Sequence, residues 1–105
     1  MKVIVIRPNQ QPSVETIDSS LEAMQQIVGG YIEMYMPWND DAAIICNDEG
    51  KIRSFPPNRI IFDDDGEPVD VIAGTFFLCR APADSEDFES LTERQINQYY
   101  NMFIL

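Results

Sequence analysis

The chain contains no histidine. The commonest base for activating a serine or cysteine nucleophile is therefore missing, and so is the commonest metal-binding side chain. Bases are scarce as well, with seven Lys and Arg against eighteen Asp and Glu, for a net charge of −11. That balance opposes attraction to nucleic acid or to an anionic membrane surface. There are only two cysteines, Cys46 and Cys79, each inside an apolar run. They read as reduced core thiols, with a disulfide between them as the lesser reading, and two isolated cysteines do not make a structural zinc site. No long apolar run occurs, and the one near the amino terminus, "VIVI", is far short of a signal-peptide core or a membrane span. A cytoplasmic protein is expected.

What remains is ample for a core. The 105 residues are 45% apolar and 10% aromatic, which suits one domain spanning 1–105. Residues 2–7, "KVIVIR", are β-branched and apolar on both faces, as in a buried strand. "RPNQQP" turns the chain, and "SVETI" alternates well enough to pair back as a hairpin. "DSSLEAMQQIVGG" is a helix in which Ser19 and Glu22 have capping-box spacing, and Leu21, Met24, Ile27 and Val28 share one face. Gly29 and Gly30 follow it. A phosphate cradle needs the N-terminal end of a helix, where N–H groups point outward. This is the C-terminal end, where glycine supplies a left-handed cap.

"YIEMYMP" alternates, with Ile32, Met34 and Met36 on one side, and "AAIIC" is the next strand. "NDEG" is a turn with Gly50 suited to positive φ ahead of residues 51–55, and "PPNR" predicts an irregular piece before a short "RIIF" strand. Residues 69–80, "VDVIAGTFFLCR", read as one long central strand, with Gly74 as a bulge or a close approach. In the tail, Thr92 and Gln95 have capping-box spacing, Leu91 and Ile96 form a staple, and Ile96, Tyr99, Tyr100 and Phe103 make the apolar face. Ser90 with Glu93 is an alternative start. The order predicts an α+β fold, a mixed or largely antiparallel sheet packed by two helices.

No motif supplies catalysis. "DDDGEPVDVI" has the look of a calcium loop, but aligning Gly66 puts Ile61 first and Ile72 last, where ligands belong. No metal, no cofactor and no catalytic residue is expected. Charge distribution says more. Residues 63–93 hold ten acids and one base, Arg80. Asp63, Asp64, Asp65 and Glu67 form one run, and Asp84, Glu86, Asp87 and Glu89 the other. Flanking a single extended strand, they would emerge at its opposite ends, up to about 40 Å apart. Such runs are ordinarily solvated turns. The sharper reading is an acidic face that imitates the field of a phosphate backbone.

"LEAMQQIVGGYIEMYMP", "IICNDEGKIRSFPPNRI", "VIAGTFFLCR" and "LTERQINQYY", in this order, resemble the family called domain of unknown function 3846. The resemblance implies a setting in phages, plasmids and conjugative elements, and transfers no site residue. The expected function is a non-enzymatic acidic protein that binds a host or mobile-element partner with a basic surface. Inhibition of a nucleic-acid-binding defence protein is the favoured mechanism, without direct nucleic-acid or membrane contact. The alternatives are a binder of small anionic ligands, with Gly29, Gly30, Tyr31, Asn58 and Arg59 near a pocket, and an accessory protein-interaction module.

Overall fold

The amino-terminal apolar run forms strand β1 (Lys2–Ile6), in which every residue after Lys2 is fully buried. It folds back on β2 (Ser13–Thr16) as the predicted antiparallel hairpin, Val3 opposite Glu15. A computed structural model describes residues 1–105. Helix α1 (Leu21–Val28), β3 (Ile32–Tyr35) and β4 (Ala42–Asn47) follow, then the hairpin β5 (Pro57–Phe62) and β6 (Pro68–Ala73). Strand β7 (Phe76–Arg80) and helix α2 (Glu93–Met102) complete the chain.

The five-stranded sheet has the order β2-β1-β7-β4-β3, and each neighbouring pair is antiparallel. Period-two alternation sends successive side chains to opposite faces. Val3, Val5, Ile45, Phe77 and Cys79 pack with Met24 and Val28 of α1 on one face. On the other face, Ile4, Ile6, Ile44, Phe76 and Leu78 pack with Tyr99 and Phe103 of α2 and with Ile61 and Ile72 of the β5–β6 hairpin. The fold is thus α+β, with one helix on each face. The two thiols lie in different layers, Cys79 with α1 and Cys46 with α2, and both are free. Burial pushes the Cys46 thiol up to about 11 and the Cys79 thiol up to about 12. Neither is a thiolate near neutral pH.

Four local expectations are corrected. The cap of α1 is Ser20, whose Oγ accepts from the Ala23 N–H, while Asp18 accepts from the Ser20 N–H; Ser19 is bypassed. Leu21, expected on the apolar face of the helix, is exposed, because it stands at the first turn of a helix only two turns long. Residues 51–54 are turns in which Ser54 takes the positive φ, and Gly50 does not; "PPNR" opens β5. A Cβ on Gly50 would sit 2.8 Å from the Ala73 carbonyl oxygen, so close approach is what that site requires. The predicted strand 69–80 is two strands in two sheets. Gly74, at φ 82°, breaks the run, and Phe55 packs so close that a Cβ would lie 2.7 Å from its ring. Only Phe76–Arg80 is central.

Gly29 caps α1 as expected, at φ 81° and with its N–H on the Gln25 carbonyl. The nearest neighbour of an added Cβ is Phe55 at 3.6 Å, ordinary contact, so the left-handed backbone is the whole obstacle. Gly29→Ala should cost about 1 kcal/mol, read as a lower urea midpoint at unchanged slope. A neutral result would show that the cap is not strained. No helix is long and apolar enough to cross a membrane.

Candidate functional site

The residues 38–41, "WNDD", leave β3 and enter β4. Trp38 is buried against Tyr99, with ring centroids 4.7 Å apart, and its Nε1 donates to the Phe62 carbonyl at 3.0 Å. The end of β5 is thereby held beside this loop. The turn that follows is self-supporting. One Asp63 oxygen accepts from the N–H groups of Asp65 and Glu67, both at 2.9 Å. Asp64 reaches across to accept from the Asn39 N–H at 2.7 Å.

The second acidic run is held to the same loop. Ala81, just beyond β7, donates its N–H to the Asp41 carbonyl at 2.7 Å. Arg80 and Glu89 exchange both backbone hydrogen bonds, folding residues 81–89 back on themselves. The two runs therefore border one loop and do not project from opposite ends of a strand. The cause is the break at Gly74, which returns the chain and puts the runs on different sheets. The Cα extents, 34 × 33 × 23 Å, are also smaller than the expected 40 Å span.

Sequence reasoning missed the cluster that anchors this end. Asp40 accepts from Tyr99 Oη at 2.7 Å, Gln95 Nε2 at 3.2 Å, the Asp41 N–H at 2.8 Å and Arg94 at 3.3 Å. Gln95 is almost fully buried and also donates to Asp41 at 2.7 Å. Its Oε1 accepts from the Thr92 N–H while Thr92 Oγ1 accepts from the Gln95 N–H, completing the predicted capping box. Burial pushes the Asp40 carboxyl up, but these donors together outweigh it and hold it below the usual carboxylate range. Burial and the Asp40 charge push the Tyr99 phenol well up. The only local signal was a pair of acids after a tryptophan.

The two bases at this end are occupied. Arg80 pairs with Glu89 at 3.2 Å and with Asp41 at 3.5 Å, and Arg94 with Asp40. Asp65, Glu67, Asp84, Glu86 and Asp87 are exposed and have no base at ion-pair distance. No group of three or more potential ligand side chains stands in an arrangement to hold a metal ion.

The five residues expected at a pocket are divided. Gly30 and Tyr31 line a cavity of about 190 Å³ with Gln25, Asp48, Glu49 and Arg53. Gly29 lines another with Phe55, and Asn58 and Arg59 border a third beside residues 102–105. Asn58 Nδ2 donates to the Ile6 and Gly74 carbonyls. The Arg59 guanidinium, in a residue only 9% exposed, donates Nε and Nη2 to the Phe103 carbonyl, Nη2 to the Gln10 carbonyl, and Nη1 to the carbonyl and Oδ1 of Asn58. Those five bonds match the five donors of the group. No hydrogen is left over for an anionic ligand.

A family model, domain of unknown function (DUF3846), matches residues 1–104, and the chain belongs to that family. No curated protein and no solved structure was found to match it.

Proposed function

We propose that this member of the DUF3846 family is a non-enzymatic acidic binding protein of a phage or other mobile element. In this reading it works in the cytoplasm, engaging a partner's basic surface through the end that carries residues 63–67 and 84–89. The observation behind the reading is the convergence of both acidic runs on one loop, with the nearby bases already paired. Exposed carboxylates without counter-charges project a negative field that steers a positive groove into contact. A groove built for a phosphate backbone is the natural target, since duplex DNA carries one charge per about 1.7 Å. Occupying it would inhibit the partner's own nucleic-acid binding, without any contact between this chain and nucleic acid.

The test starts with a partner captured from host lysate. Its association with the parent chain should slow about tenfold or more between low and high salt, and duplex DNA should compete. Changing Asp84, Glu86 and Asp87 to Asn, Gln and Asn should cut the association rate by a similar factor, leave dissociation nearly unchanged and leave the fold intact. Salt-insensitive association, or a ternary complex with DNA, would rule out mimicry.

A further inference from the structure

The acidic end is not the only unpartnered surface. In β5, Arg59 and Ile61 point inward and Ile60 and Phe62 outward. Val71 of β6 stands directly opposite Ile60, so all three occupy the outer face of the two-stranded hairpin. Met102, Ile104 and Leu105 border the same depression as Ile60 and Phe62. The tail is fixed there, because Gln11 and Leu105 exchange two hydrogen bonds, at 2.9 and 3.4 Å. These six side chains are each 40–62% exposed, and none is ionisable.

We infer that this face pairs with the same face of a second copy of the chain, making a two-fold dimer. Area supports it. Half of six side chains, each roughly 150–200 Å² when bare, is about 500 Å² of contiguous apolar surface. That lies near the top of the range for monomers. It also supplies close to two thirds of the roughly 800 Å² per partner of a standard interface, the apolar share found in homodimers. The chemistry of the patch supports the choice of occupant. Its side chains carry no charge with which to recognise a charged partner, so apolar surface is what it matches, and a second copy always supplies that. The −11 charge of each copy opposes the pairing, which the apolar contact must outweigh. With the two-fold axis crossing the strands, the acidic turns at residues 63–67 lie at opposite ends of the dimer, where they repel least.

The salt response distinguishes this contact from the acidic face. Two chains of like charge repel across the whole assembly, and added salt screens that repulsion while leaving apolar contact intact. Dimerisation should therefore strengthen severalfold from 50 to 500 mM NaCl, roughly, the reverse of the behaviour expected for capture of a basic partner. The experiment is sedimentation equilibrium of the purified full chain at roughly 10–100 μM across that salt range. Ile60→Asp should weaken the dimer at least about tenfold, since it buries an unpaired charge at the centre of the contact. Ile104→Asp, on a different element, should do the same. Both positions are exposed in the single chain, so melting of dilute samples should hardly move. A single-chain mass at 100 μM in high salt would overturn the inference and leave the face to some other partner. A dimer unaffected by both substitutions, or growth beyond two copies, would overturn it equally. Neither result depends on a captured partner, so this inference and the proposed function can fail separately.

Discussion

Arg59→Ala should lower the unfolding free energy by about 3–5 kcal/mol, a third or more of what a domain of this size ordinarily has. The guanidinium joins three elements. From β5 it reaches the Phe103 carbonyl at the end of α2 and the Gln10 carbonyl in the β1–β2 turn, and it closes on Asn58 beside it. Helix α2 has no base in its last turn, so Arg59 is the cation that answers the negative end of its dipole. Truncation strands two carbonyls and opens a void at once. Arg59→Lys keeps the charge, but its three donors cannot copy the five-bond fork, so it should lose roughly half as much. Urea titration checks both, as a fall in midpoint at constant slope. A loss below about 1 kcal/mol for the alanine variant would free Arg59 from this role and return it to the anionic-ligand reading.

The contrast between what Arg59 suggested and what it does shows where sequence reasoning works in this chain. Several local signals were read correctly where local physics decides, although the Ser19 cap and the positive φ at Gly50 were not. The β1–β2 hairpin, the left-handed Gly29 and the Thr92–Gln95 capping box each depend on a few neighbouring residues. Burial of both cysteines followed from the apolar runs that hold them. Long-range arrangements were not legible. A continuous apolar run such as 69–80 is equally consistent with one strand or two, since periodicity does not report which sheet a strand joins. Gly74 was the signal, and a positive φ in a buried glycine proved to be a break in place of a bulge. In "NRIIF" an arginine alternates with an isoleucine on the inward face, which in hindsight marks a buried cation.

The anchoring cluster of the acidic end was illegible for a related reason. Asp40 lies 54–59 positions from Arg94, Gln95 and Tyr99, and no helical or strand period links such residues. In the sequence Arg94 looks like an ordinary solvated position, Gln95 like a capping partner and Tyr99 like part of the apolar face, and none of them points to Asp40. The structure instead buries Gln95 and Tyr99 against residues 38–41 and makes them the floor beneath both acidic runs.

That floor gives the second large effect, and its dependence on pH identifies its cause. Asp40→Asn keeps the shape of the side chain but replaces one acceptor oxygen with an NH₂ group. Tyr99 Oη, Gln95 Nε2 and the Asp41 N–H all donate toward Asp40, so the amide must turn a donor toward a donor. The expected cost at pH 7 is about 2 kcal/mol. The native Asp40 carboxyl is held below its usual range, because its donors outweigh the effect of burial. A depressed carboxylate contributes stability that is fully present above the unfolded pKa, near about 4, and is lost as pH falls through the lower native value. The gap between parent and variant should therefore stay constant from about pH 7 to 5 and narrow below about 4. Relief of repulsion among the surplus acids affects both proteins alike and cancels in the difference. Urea titrations of the two proteins at about pH 7, 5 and 3 make the measurement. A gap that persists undiminished at the lowest pH would mean that the folded state draws nothing from the Asp40 charge, and that Asn costs only through its shape. If the gap narrows as expected, the loop that both acidic runs border is itself fastened by an ionised acid, and acidification would loosen the acidic end before it unfolds the sheet.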